Sequence, residues 1–220
     1  MSDFSQRLGA GKLQGKEFLS STAWTVPVGV TLIWVTCVAG GGGGESAASG
    51  EGGFGGNIAF NIPIEVSPSD SVTITVGDGG AAGAAGKNPG LPGGQSQVFV
   101  SGGVSKISAH GGYGGDELSG NAVIQDDAYA GAYGQINTGN RPGAKGWGYV
   151  VGDLGGGGGG GGGAGFNWDG GDGAVNDSSN GTAAAVNTGA GGGGGDNDST
   201  FVGGAGGSGL VRIAWVANHG

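Results

Sequence analysis

The sequence predicts an all-β fold, a β-sandwich-like core carrying a large glycine-rich excursion. Three observations carry the prediction. Gly supplies 62 of 220 residues, with only six Pro and no Gly-X-Y register, which excludes collagen. Strand-like apolar runs flank a stretch of about a hundred residues dominated by Gly, Ala, Asn and Asp. No segment shows capped helical periodicity.

The first strand signal is 22–26, followed by Pro27-Val28-Gly29, a turn in which Pro presets φ and Gly takes positive φ. Residues 31–39 (Thr-Leu-Ile-Trp-Val-Thr-Cys-Val-Ala) are apolar on both faces, β-branched and bounded by Gly, which favours a strand. Ile58, Phe60, Ile62, Ile64 and Val66 alternate with Ala59, Asn61, Pro63 and Glu65, a half-buried strand with an edge-compatible Pro. Val72, Ile74 and Val76 alternate with Ser71, Thr73 and Thr75. Residues 97–100 and 104–109 predict a hairpin across Ser101-Gly102-Gly103. The last strand, 210–217, puts Val211, Ile213 and Trp215 on one face, and Trp24, Trp34 and Trp215 are expected in the core.

The expected organisation is an arm at 1–16, a β core from 17–110 plus 208–217, and a glycine-rich region at 111–207. Connections of that length are rare unless functional or disordered. Strong strands on either side of it predict that 31–39 and 210–217 meet in one core.

The glycine runs at 40–44, 155–163 and 191–195 admit two readings. As isolated chain they are flexible linkers, since Gly loses the most entropy on ordering. The ordered alternative is packed polyglycine-II helices: three residues per turn, about 3.1 Å rise, side-by-side packing without Cβ atoms, and backbone hydrogen bonds to neighbouring helices.

Eight Lys and Arg against seventeen Asp and Glu give a net charge of -9, a poor surface for nucleic acid. No cofactor is expected; the acidic balance makes Ca²⁺ a conceivable visitor. One cysteine, Cys37, permits no internal disulfide. No signal peptide or apolar run long enough to span a membrane is visible, so membrane insertion is not expected.

The string Ala23-Trp24-Thr25-Val26-Pro27-Val28-Gly29-Val30-Thr31, an apolar strand and the run 40–44 open a pattern continued by Ser71-Val72-Thr73-Ile74-Thr75-Val76-Gly77-Asp78-Gly79-Gly80 and Ala109-His110-Gly111-Gly112-Tyr113-Gly114-Gly115. Gly203-Gly204-Ala205-Gly206-Gly207-Ser208-Gly209-Leu210-Val211-Arg212-Ile213-Ala214-Trp215 closes it. This series, across about 17–217, resembles glycine-rich bacteriophage tail-fibre and receptor-binding (adhesin) domains. The resemblance implies a virion component made in the host cytoplasm, and more loosely an adhesin that presents loops on packed polyglycine helices to a bacterial surface molecule, a protein or polysaccharide. Other phage tail proteins are then expected neighbours, and a homo-oligomer, a trimer, is the expected assembly.

Enzyme chemistry is not expected. Gly-x-Gly-x-x-Gly recurs by chance at this glycine content and never sits between a strand and a helix. His110, His219 and Cys37 cannot assemble a His/Cys metal site or supply the usual catalytic base constellation. Asp196-Asn197-Asp198-Ser199 has oxygen ligands in a short loop without EF-hand spacing. The candidate receptor contacts are Tyr113, Tyr129, Tyr133, Trp147, Tyr149, Phe166 and Trp168, aromatics in a region with little apolar volume to bury them. They equally suit wedging between glycine helices or a subunit interface. The leading expectation is adhesion to the host surface. The alternatives are a structural tail or baseplate connector and, more remotely, an ice-binding or extracellular glycine-rich structural protein.

Overall fold

A computed structural model describes residues 12–46, 50–86, 88–101, 106–115, 170–171, 173, 180–195 and 200–217. Eight strands form two four-stranded antiparallel sheets: β1 (Lys12–Phe18), β8 (Leu210–Ala217), β3 (Leu32–Val38) and β4 (Ile58–Glu65) in one, and β2 (Thr22–Thr25), β5 (Ser71–Thr75), β6 (Ser96–Val100) and β7 (Lys106–Ala109) in the other. The described part is all-β, and its core is sandwich-like. Alternation explains the packing: Ile33, Val35 and Cys37 of β3 and Val211 and Ile213 of β8 meet Val72, Ile74, Val98, Val100 and Ile107 of the facing sheet. Trp24 and Trp215 close the core from opposite sheets, ring centroids 5.2 Å apart and tilted by 41°. Trp34 is only half-buried.

The two ends of the described chain meet. β3 pairs with β8 from Ile33↔Trp215 to Val38↔Leu210, and the hairpin of β6 and β7 runs from Ser96↔Ala109 to Phe99↔Lys106. The Pro27 turn closes by the Val30 N–H donating to the Pro27 carbonyl at 3.2 Å, with Gly29 at φ 81°.

Two expectations need correction. The arm expected at 1–16 overlaps β1: Lys12 through Phe18 pair with Ala217 through Val211. That strand hides in the sequence because it lies at a sheet edge with mostly exposed residues, so alternation is weak. The even alternation expected from Ile58 to Val66 is broken by a bulge. Val35 faces Ile62 and Cys37 faces Ala59, so Thr36 stands opposite the pair Phe60 and Asn61. Asn61 takes φ 52°, and its N–H donates to Thr36 Oγ1 at 3.0 Å. The extra residue turns Ala59 inward, 1% exposed, and leaves Phe60 outside at 45%.

The sheet edges are guarded. β4 carries the bulge and Pro63, which has no N–H to offer a further strand. β2 and β7 span four residues each, and β1 bears Lys12 and Lys16, the latter over the Phe18 ring.

Candidate functional site

Glycine segments leave and re-enter the sandwich at one end. β3 continues into 39–46, which returns through 51–57 to β4; β5 continues into 77–83, which returns through 88–94 to β6. β7 continues into 110–115, and 202–209 leads into β8. Segment 39–46 is buried along its whole length and is the axis of a seven-segment bundle.

The hydrogen bonds of that axis repeat every three residues. The N–H groups of Ala39, Gly42 and Glu45 donate to Asn57, Phe54 and Glu51. Those of Gly40, Gly43 and Ser46 donate to Gly94, Leu91 and Asn88, and those of Gly41 and Gly44 to Gly207 and Gly204, all at 2.8–3.0 Å. Its carbonyls accept from the other three segments: Gly40 and Gly43 from Gly112 and Gly115, Gly41 and Gly44 from Gly80 and Gly83, and Gly42 and Glu45 from Gly192 and Gly195. The axis thus donates to three antiparallel neighbours and accepts from three parallel ones. The ring closes on itself, alternating in direction: 51–57, 110–115, 88–94, 77–83, 202–209, 189–195 and back to 51–57. A period of three with bonds in every lateral direction is the packing of polyglycine II. An eighth segment, 180–185, lies against 189–195 and 202–209 through Gly193 to Thr182 (3.0 Å) and Ala184 to Ala205 (2.9 Å).

This lattice dictates where glycine is required. On the axis, a Cβ at any of Gly40, Gly41, Gly42, Gly43 or Gly44 would fall 1.9–2.0 Å from a neighbour's carbonyl oxygen. In the antiparallel segments one residue in three faces the axis. Gly90 and Gly93 would meet Gly43 O and Gly40 O at 2.0 and 2.1 Å, while the outward positions before and between them hold Asn88, Pro89, Leu91 and Pro92. In the parallel segments two residues in three face ring neighbours. Gly111 and Gly114 meet 88–94, Gly112 and Gly115 meet 51–57, and only the third position, Tyr113, points out. Where the eighth segment packs, Gly204 and Gly207 are also required, with Thr182 O and Ala185 O at 1.9 and 2.1 Å. The glycine architecture is therefore not confined to the expected region at 111–207. Its axis and three of its six ring segments lie within the range expected to be β core.

The bundle gives the molecule two ends. At the sandwich end, Ser96 ties both sheets to the first turn of the bundle: its buried hydroxyl donates to the Val38 carbonyl at 2.7 Å and accepts from the Gly77 N–H at 2.9 Å. At the other end, about 22 Å along the axis at 3.1 Å per residue, Ser46, Gly50, Ala84, Asn88, Gly115 and Gly195 gather. Ser46 bridges Gly195 and donates through Oγ to the Phe201 carbonyl at 2.6 Å. Glu45 is buried beneath this tip, where its Oε2 accepts from the Glu51 N–H at 3.2 Å. Connections leave the tip after Ser46, Ala84, Gly115 and Gly195.

Of the aromatics expected to contact a receptor, Tyr113 lies on the bundle's flank, half-buried, its carbonyl accepting from the Phe54 N–H at 2.8 Å. Tyr129, Tyr133, Trp147, Tyr149, Phe166 and Trp168 lie outside the described residues, as do Asp196 and Asp198 of the loop considered for Ca²⁺. Phe54, at the same height on the adjacent segment, is an aromatic the sequence reading missed. Its position in Gly-Gly-Phe-Gly-Gly, the same frame as Tyr113 in Gly-Gly-Tyr-Gly-Gly, was the available signal. Among the described residues no three His, Cys, Asp or Glu side chains converge as a metal site.

No curated protein matches the chain. A family model described as a glycine-rich domain matches residues 17–216, so the chain belongs to the glycine-rich domain family.

Proposed function

We propose that the protein is a bacteriophage tail-fibre or tail-tip component that attaches the virion to a protein or polysaccharide on the host bacterial surface. The observation that carries this reading is the polarity of the molecule. Lys12 and Ala217, the first and last described residues, pair at the end of the sandwich farthest from the bundle. The connections after Ser46, Ala84, Gly115 and Gly195 leave from the opposite tip. A base suited to anchoring and a tip rich in connections, held apart by a closely packed glycine bundle, is an arrangement that suits surface recognition. The sequence resemblance to glycine-rich tail-fibre domains points the same way.

Recognition is assigned to side chains of 111–207, because the glycine runs offer only backbone. Tyr113, Tyr129, Tyr133, Trp147, Tyr149, Phe166 and Trp168 are the carriers, aided by neighbouring Asn and Asp. Phage tail proteins are the partners at the base, and a trimer is the proposed assembly. Because the sheet edges are guarded, trimer contacts are assigned to faces rather than edges.

The experiment is binding of the labelled protein to cells and to isolated surface polysaccharide and outer-membrane protein, with each aromatic replaced by Ala and melting measured in parallel. Truncating a central contact commonly costs about 2 kcal/mol of binding or more. Loss of binding at unchanged melting supports recognition by that residue. Binding to no cell or surface fraction, with every aromatic substitution lowering melting, replaces this reading with a structural connector. Light scattering that shows only a monomer at micromolar concentration removes the trimer.

A further inference from the structure

We propose that the glycine bundle is a tension-bearing element, built to resist force along its axis and to hold its register under load. Its hydrogen bonds run across the axis, from segment to segment. Force applied at the tip turn after Ala84 cannot open them one at a time. To move, segments 77–83 and 88–94, on either side of that turn, must slide together past the axis, 202–209 and 110–115. That loads at once the bonds from Gly80 to Gly41, Gly83 to Gly44, Gly43 to Leu91, Gly40 to Gly94, Gly203 to Gly83, Gly206 to Gly80, Gly209 to Gly77 and Gly93 to Gly112. The load then passes without a joint into β3, β5 and β8, and the Ser96 hydroxyl ties the exits of β3 and β5 to each other.

Register is held by the same rule that places the glycines. In 88–94, Gly90 and Gly93 face axis carbonyls at a Cβ distance of 2.0 and 2.1 Å, whereas Leu91 and Pro92 face out. A slip of one residue, about 3.1 Å, would drive Leu91 or Pro89 against the Gly43 carbonyl, where no Cβ fits. A slip of three residues, a full turn, would bring Lys87 or Ser96 to an inward position, so no slip within one turn restores glycine at both. The bundle therefore resists creep by sterics as well as by hydrogen bonding, whatever its tip binds.

Single-molecule pulling between engineered cysteines tests this on the isolated protein, with no cell or receptor present. The native Cys37 is fully buried and offers no competing handle. The axial pair is Val28→Cys at the exposed base turn with Ala85→Cys at the tip. Pro89→Cys replaces Ala85→Cys should that variant fail to fold. The transverse pair, Phe54→Cys with Ala81→Cys, lies on opposite ring segments at mid-height, so its load opens bonds in sequence. Axial pulling is expected to rupture in one step at roughly twice the transverse force or more. Equal forces in the two directions, or axial extension by gradual slipping, would overturn the proposal.

Discussion

Replacing Gly43 by Ala separates a packed bundle from a flexible linker by the sign of its effect. In a linker the change removes conformational freedom from the unfolded chain and stabilises by about 0.4–1 kcal/mol. In the bundle the new Cβ would lie 2.0 Å from the Ala81 oxygen and 2.5 Å from its carbon. Relief requires the two segments to part by about 1 Å or more. Parting breaks the 2.8 Å bonds from Gly80 to Gly41 and from Gly83 to Gly44, and strands their donors and acceptors in a buried axis. Two lost backbone bonds with unsatisfied buried groups cost roughly 3–5 kcal/mol. At about 2–4 °C per kcal/mol for a chain of this size, melting falls on the order of 10 °C. The assay is thermal unfolding by circular dichroism, with Ala205→Ser on the outward face as control, expected within about 0.5 kcal/mol of the parent. A Gly43→Ala variant melting at or above the parent would refute the packing.

Further outcomes follow from the same contacts. Ser96→Ala removes both ties at the base of the bundle and lowers stability by about 2 kcal/mol in urea unfolding; an unchanged midpoint would show that the junction holds without it. A double-mutant cycle on Trp24 and Trp215 yields a coupling of about 0.5–1.5 kcal/mol, and a coupling of zero would mean the rings do not pack. Burial pushes the Cys37 thiol from 9.0 up to about 12, so iodoacetamide at pH 8.5 labels it only after unfolding. Since the folded thiol ionises later than the unfolded one, its contribution to stability is present below about pH 9 and is lost as pH rises towards 12. Rapid labelling of the folded protein at pH 8.5 would contradict the burial.

The strands were legible wherever a side chain alternates between water and core, as in Val72-Thr73-Ile74-Thr75. They became illegible where one face carries no signal. β1 sits at an edge, and the bulge at Asn61 adds a residue that alternation cannot register. The glycine segments behave differently. Their individual frames are readable: the triplet Asn88-Pro89-Gly90-Leu91-Pro92-Gly93 states that one face in three is packed, and the run at 40–44 states that all three are. Which segment lies beside which is not readable, because glycine has no side chain through which to select a neighbour. For six of the seven bundle segments that choice is made by the strand each one continues, β3, β5 and β7 on the way out and β4, β6 and β8 on the way back. For the proposed recognition surface the sequence singled out aromatics by type. Tyr113 and Phe54 show that the triplet frame, more than the amino-acid type, decides which of them faces outward.

The tip described above also bears on how such a molecule diversifies. Two of the connections there are stapled at their roots, the first where the Glu45 N–H meets the Glu51 carbonyl and the second where Asn88 Nδ2 donates to the Ala84 carbonyl. The distance between stems is set below the connection, so its length is nearly free. Closing a loop twice as long costs only about 0.6 kcal/mol more, well under the loss expected from one misplaced methyl group on the axis. Insertions and wholesale replacement at the tip can therefore be tried without retuning the interior, while the glycine frame beneath stays almost immutable. One part of the chain is free to drift and the other is pinned, with the border between them drawn by the last packed triplet.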